Sequence, residues 1–251
     1  VFTIEERKQV RDDLVSAAHA DPRITGAALT GSAAVGRADR WSDIDLALCL
    51  DVDADYDQVI ADWTERMYRD HGVVHYLDVW SGDTLFRVFL LADTLQIDLA
   101  FWHAADFGAT ASTFRLLFGT ANERPRTKPP TAAHLIGWSW LYALHARSSI
   151  ARGRVWQAEY MVSGMRDQVL ALACLRHGVP TTEGRGMDDL PPEDTAPLLA
   201  ALPQSLEIGA LNRAFRVTTE ALLRETDQVD PELARILAEP LRELAKGPHE
   251  S

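Results

Sequence analysis

The chain has 251 residues, 47% of them hydrophobic, and a formal net charge of −12. That length allows one large domain or two modest ones with sizeable cores, and no run approaches the roughly 18 to 20 apolar residues of a membrane helix. Residues 1–120 carry 20 Asp and Glu against 10 Lys and Arg, whereas residues 121–251 carry 17 against 15. Such an acidic half disfavours nucleic acid, which is bound through its phosphates, and favours divalent cations and a small positively charged substrate, although acidity also serves solubility. The two cysteines, Cys49 and Cys174, lie far apart in apolar contexts. They read as buried thiols in a reducing cytoplasm rather than as a disulfide or a zinc site. The polar, amphipathic N-terminus shows no signal-peptide pattern.

Ile4 to Ala20 has helical apolar spacing and is ended by Asp21-Pro22. Ile24 to Thr30 reads as a strand. Next come a small-residue turn at Gly31-Ser32, a short helix, and a second strand entered through Asp43-Ile44-Asp45 and continued by Leu46 to Leu50. Asp51, Asp53, Asp55 and Asp57 follow, but the Gly and terminal Glu of a calcium loop are missing, so a solvated loop entering a helix is expected. Tyr56 to His71 is an amphipathic helix closed by Gly72. Val73 to Val79, Leu85 to Leu91 and Thr94 to Trp102 are strand candidates joined by short turns, which predicts antiparallel hairpins. The polar, proline-rich stretch 121–130 reads as a linker. Beyond it, Ala132 to Arg152, Val155 to His177, Thr195 to Leu202, Ile208 to Thr226 and Pro231 to Ala245 favour helix. The expected class is therefore α+β: a small, mainly antiparallel mixed sheet, then a helical bundle. Gly247 to Ser251 should fray.

Alternation puts Asp43 and Asp45 on one face of the second strand. Two adjacent carboxylates repel, so a fold that keeps them usually has a cation to place between them. Asp98 sits in an otherwise apolar strand, where an unpaired charge is costly. Either it pairs with Arg87 of the preceding strand or it completes a metal site with Asp43 and Asp45. The Gly31-Ser32 turn opens a helix and offers backbone N–H groups to phosphate. Arg37 and Arg40 are candidates for neutralising phosphate charge, or plain surface arginines. Glu159, Ser163, Arg166 and Asp167 share one helical face, which is either solvated or lines a cleft. Trp41, Trp80, Trp102, Trp138, Trp140 and Trp156 are candidates to hold a ring, most being expected in the core. His75 and Asp78 are further candidates for an acceptor pocket. No zinc-protease pattern, Walker A loop or nucleophile elbow occurs.

Gly-Ser, ten residues, Asp-Ile-Asp in a strand, and a later strand Asp together resemble the DNA polymerase β nucleotidyltransferase superfamily, and within it the aminoglycoside and lincosamide nucleotidyltransferases. The match is concentrated in residues 26–50 and 95–101. The resemblance implies a catalytic domain over residues 1–120, a linker over 121–130 and a helical acceptor-binding domain over 131–251. It implies two Mg2+ ions held by Asp43, Asp45 and Asp98, with the triphosphate of ATP or another NTP at Gly31 and Ser32. A nucleoside monophosphate would pass to a hydroxyl of a small aminoglycoside-like acceptor, with release of pyrophosphate. Asp98 or Glu159 would be the general base, the latter by similarity to kanamycin-type enzymes. The rival readings are nucleotidylylation of a protein or a nucleic acid end, and a catalytically inactive nucleotide-binding or regulatory module. Acceptor, nucleobase and oligomeric state, a homodimer included, are left open.

Overall fold

Alternating apolar residues build the first half around one sheet. In the computed structural model, which describes residues 1–246, its strands are β1 (Ile24–Thr30), β2 (Ile44–Leu50), β3 (Val73–Ser81), β4 (Thr84–Leu91), β5 (Gln96–His103) and β7 (Phe114–Phe118). Their order is β3-β4-β5-β2-β1-β7, and β6 (Gly108–Ala109) pairs separately with β8 (Asn122–Glu123). Within the large sheet β2 and β5 run parallel, and the other neighbours are antiparallel.

The two sheet faces differ. Alternate apolar residues such as Ile44, Leu46, Ile97 and Leu99 pack beneath α1 (Ile4–Ala20) and α3 (Tyr56–Asp70), with Leu14, Trp63 and Met67 fully or nearly fully buried. Each helix is started by a side chain: Thr3 forms a capping box with Glu6, and Asp55 accepts from the Gln58 N–H at 3.0 Å. The aspartates of 51–57 thus act as a turn and a cap. On the opposite face Ala28, Ala47 and Ala100 lie side by side across three strands. These small residues leave a shallow floor, and Phe107 of the segment after β5 is fully buried against it.

The chain divides into two compact units, Val1–Thr127 and Lys128–Ser251. The stretch 121–130, expected as a linker, is packed into the first unit as far as residue 127. Asn122 Nδ2 donates to the Ala104 carbonyl at 2.7 Å, Thr127 N–H donates to Thr110 at 3.0 Å, and Arg124 pairs with Asp106. The second unit is helical: α4 (Ala132–Ala151), α5 (Val155–His177), α6 (Pro192–Leu199), α7 (Ile208–Val229) and α8 (Pro231–Ala245). Met165, Val169, Leu211, Phe215 and Leu222 form its core. Gly178, at φ 70°, ends α5 in the left-handed conformation.

One strand was missed and one expectation is corrected. β7 was not foreseen, because its short run is stabilised by pairing with β1, more than 80 residues earlier. Most of the candidate tryptophans are not core: Trp41, Trp80, Trp138, Trp140 and Trp156 are exposed and Trp102 is half-buried, whereas the buried tryptophan is Trp63 of α3, outside that set. Both cysteines are buried and unpaired. Among the described residues no helix is long and apolar enough to cross a membrane. Gly247 to Ser251, expected to fray, lie outside the described residues.

Candidate metal and nucleotide site

The parallel register of β2 and β5 sets Asp45 directly beside Asp98, and Ile44 beside Ile97. The isoleucines go to the core and the aspartates to the opposite face, as period-two alternation requires. Asp43, just before β2, joins them: one carboxylate oxygen from each of the three lies within 4.8 Å of the others, all half-buried. Burial pushes the Asp98 carboxyl above its usual range. A hydrogen bond from Gln96 opposes that rise, and the negative charge of Asp43 adds to it.

Gln96 was missed from sequence. Its Nε2 donates to Asp98 at 2.9 Å and reaches Asp43 at 3.4 Å, a neutral donor between two carboxylates. The signal was present, since Gln96 stands two residues before Asp98 and so shares its face. Arg87, the alternative partner for Asp98, points away. It forms a two-pronged pair with Asp78 at 2.6 and 2.7 Å, donates to Thr64 and lies over the Tyr76 ring. Asp78 is thereby engaged as an ion-pair partner, and His75 is exposed beside Tyr76.

Gly31 opens the short helix α2 (Gly31–Ala34) at φ 61°, where side chains are disfavoured. A Cβ there would stand 2.1 Å from Asp45 Oδ2. The glycine therefore lets the turn close onto the acid cluster. Ser32 follows, half-buried. One turn of helix has little dipole, so an anion here would meet individual N–H groups and the Ser32 hydroxyl.

The loop into Asp43 is pinned from below by a second residue that sequence reading missed. Arg7 of α1, 8% exposed, donates through Nη1 to the carbonyls of Asp39 and Ser42. Asp39 in turn accepts from Trp41 N–H at 2.8 Å and Ser42 Oγ at 3.1 Å. Nothing in the helical pattern marked Arg7, because arginines on such helices usually face water. Arg37 and Arg40 lie exposed on this loop, Arg40 stacked 4.3 Å over the Trp41 ring. In the second unit Glu159 accepts from Ser163 Oγ at 2.5 Å, one turn along the same helical face, while Arg166 pairs with Asp167 at 3.4 Å.

No family model and no curated protein sequence matches the chain. Among solved structures it is similar to an aminoglycoside 6-adenyltransferase from Bacillus subtilis, with TM-score 0.39 and 12% identity over 98% of this chain and 100% of that one. It is also similar to the polymerase core of TRAMP, an RNA surveillance complex, with TM-score 0.30 and 11% identity over 98% and 85%. A third is the CD-NTase CdnG of Bradyrhizobium diazoefficiens in complex with GTP, with TM-score 0.28 and 16% identity over 90% and 72%.

Proposed function

We propose that the protein is a metal-dependent nucleotidyltransferase, moving a nucleoside monophosphate, AMP from ATP in the first instance, to a hydroxyl of a small cationic, aminoglycoside-like acceptor. The observation that carries this reading is the register that brings Asp45, Asp98 and Asp43 together on the face where Gly31 closes against Asp45. Three carboxylates form an all-oxygen donor set, which suits Mg2+. At the usual Mg2+ bond length two ligands of one octahedral ion lie about 3 Å apart when adjacent and about 4.2 Å when opposite, so the cluster would contract on binding one. Ions held there would supply charge neutralisation at the attacking and leaving oxygens.

The protein's own groups supply the rest. The Gly31 and Ser32 N–H groups and the Ser32 hydroxyl donate to phosphate oxygens, and Arg37 and Arg40 screen the leaving pyrophosphate. The acceptor oxygen bonds to the α-phosphorus as the bond to pyrophosphate breaks, and its proton passes to a carboxylate. Asp98 is the first candidate, through a carboxylate oxygen that the metal leaves free. Glu159 is the second, since Ser163 orients it. The acidic first half favours a cationic acceptor, and NTP and magnesium supply fits a cytoplasmic setting. A screen for pyrophosphate release with ATP, GTP, CTP and UTP plus Mg2+, against aminoglycosides and lincosamides, tests the proposal. Activity should vanish in Asp43→Asn, and activity that survives it rules the site out.

A further inference from the structure

On the same sheet face as the acid cluster lies a cleft of about 410 Å³, formed wholly within the first unit. Alternation along β5 carries Asp98, Ala100 and Trp102 onto one face, and β4 adds Phe86, whose ring meets Trp102 edge-on at 6.2 Å. The segment after β5 folds back to form the other wall with Thr110, Thr113 and Phe114. Thr30, the residue before Gly31, is part of the lining. The cleft therefore begins one residue from the Gly31–Asp45 contact.

Its lining has a definite chemistry. Aromatic rings and hydroxyls supply the walls, Arg124 is the lining cation and is already paired with Asp106, and no Asp or Glu lines it. Two buried side-chain nitrogens among the described residues have no hydrogen-bond partner, Trp102 Nε1 and Arg124 Nε, and both belong to residues of this lining. A buried donor left unpaired is costly. Aromatic and hydroxyl walls without a carboxylate suit a flat, uncharged ring carrying acceptors, and give an ammonium-bearing ring no counter-charge.

We infer that this cleft binds an uncharged ring bearing hydrogen-bond acceptors, and that it holds one ring of a substrate beside the metal cluster. Two sources share that chemistry: the base of the nucleoside triphosphate, or a neutral ring of the acceptor. The inference rests on the nucleotidyl-transfer reading for the ring's purpose and not for its binding. The intact two-unit chain in EDTA would therefore be titrated calorimetrically with adenosine, guanosine, cytidine and uridine, and separately with the neutral rings glucose and myo-inositol. At least one should bind wild type, and Trp102→Phe and Thr113→Val should each weaken it about tenfold while melting as wild type does. A nucleoside as ligand assigns the cleft to the base, and a sugar or cyclitol assigns it to the acceptor. No binding at millimolar concentration overturns the inference, as does equal binding by wild type and both variants. Ring binding without pyrophosphate release from any NTP would thus sink the proposed function alone.

Discussion

Gly31 shows how much one atom can decide. Alanine at this position would place Cβ 2.1 Å from the Asp45 carboxylate and force a residue with a side chain to φ 61°. The left-handed conformation alone costs about 1–2 kcal/mol, and the clash must also move Asp45. Gly31→Ala is expected to lower the melting temperature modestly and pyrophosphate release by at least about a hundredfold. An active variant would show that the turn does not position the site. The three aspartates make a companion prediction. Mg2+ added to metal-free wild type should raise its melting temperature, because a ligand that binds only the folded state stabilises it. Asp43→Asn should lose most of that rise, and an undiminished shift would place the ion elsewhere. The motif aspartates were legible in the sequence because alternation fixes their face. Gln96 was legible in principle, and the fate of Arg87 was not, since its partner Asp78 is chosen by pairing between β3 and β4.

Elements meet at two polar hubs that hold the site's scaffold. Arg7 ties α1 to the loop before Asp43 through two carbonyls. Truncation to alanine removes hydrogen bonds from a charged donor, and a loss of about 2 kcal/mol is expected in denaturant melts. Turnover should fall as well, because Asp43 loses its support, and unchanged turnover would show the loop to be self-supporting. Asp21 ties the end of α1 to β1 and α3, accepting from Arg23 Nε and Nη2 at 3.0 Å and from Trp63 Nε1 at 3.1 Å. Burial pushes its carboxyl up, but the hydrogen bonds from Arg23 and Trp63 together outweigh that and hold it below the usual carboxylate range. A depressed carboxyl binds fewer protons in the folded than in the unfolded state. Its contribution is therefore complete above about pH 4 to 5 and disappears as pH falls through the lowered value. Urea melts between about pH 5 and 2 should show a steeper acid loss for wild type than for Asp21→Asn. Parallel curves would remove Asp21 from the acid sensitivity.

At the scale of the whole molecule, the chain is two units joined near a mostly exposed stretch, residues 125 to 131 containing Arg126, Lys128 and three prolines. Brief trypsin treatment should cut first after Arg126, since the Lys128-Pro129 bond resists the protease, and leave two protected fragments. A first cut inside α5 would contradict that division. The choice of base also belongs to this scale: Glu159→Gln with normal turnover eliminates Glu159, and Asp98→Asn is the paired assay.

Sequence alone determined the local elements. Helix α1 and helix α5 run over the residues that periodicity and caps predict, because a helix is closed by hydrogen bonds four residues apart and its signals are local. It also placed Asp43 and Asp45 on one face, since alternation is a property of the single strand. Tertiary structure decided that β2 and β5 pair in parallel with Asp45 opposite Asp98. It decided too that β7 exists, that Arg87 turns away, and that the segment after β5 folds back to wall a cleft. Each of these depends on a partner distant in sequence, whose contact free energy must exceed the entropy of closing a long loop. No pattern within a short window encodes that balance.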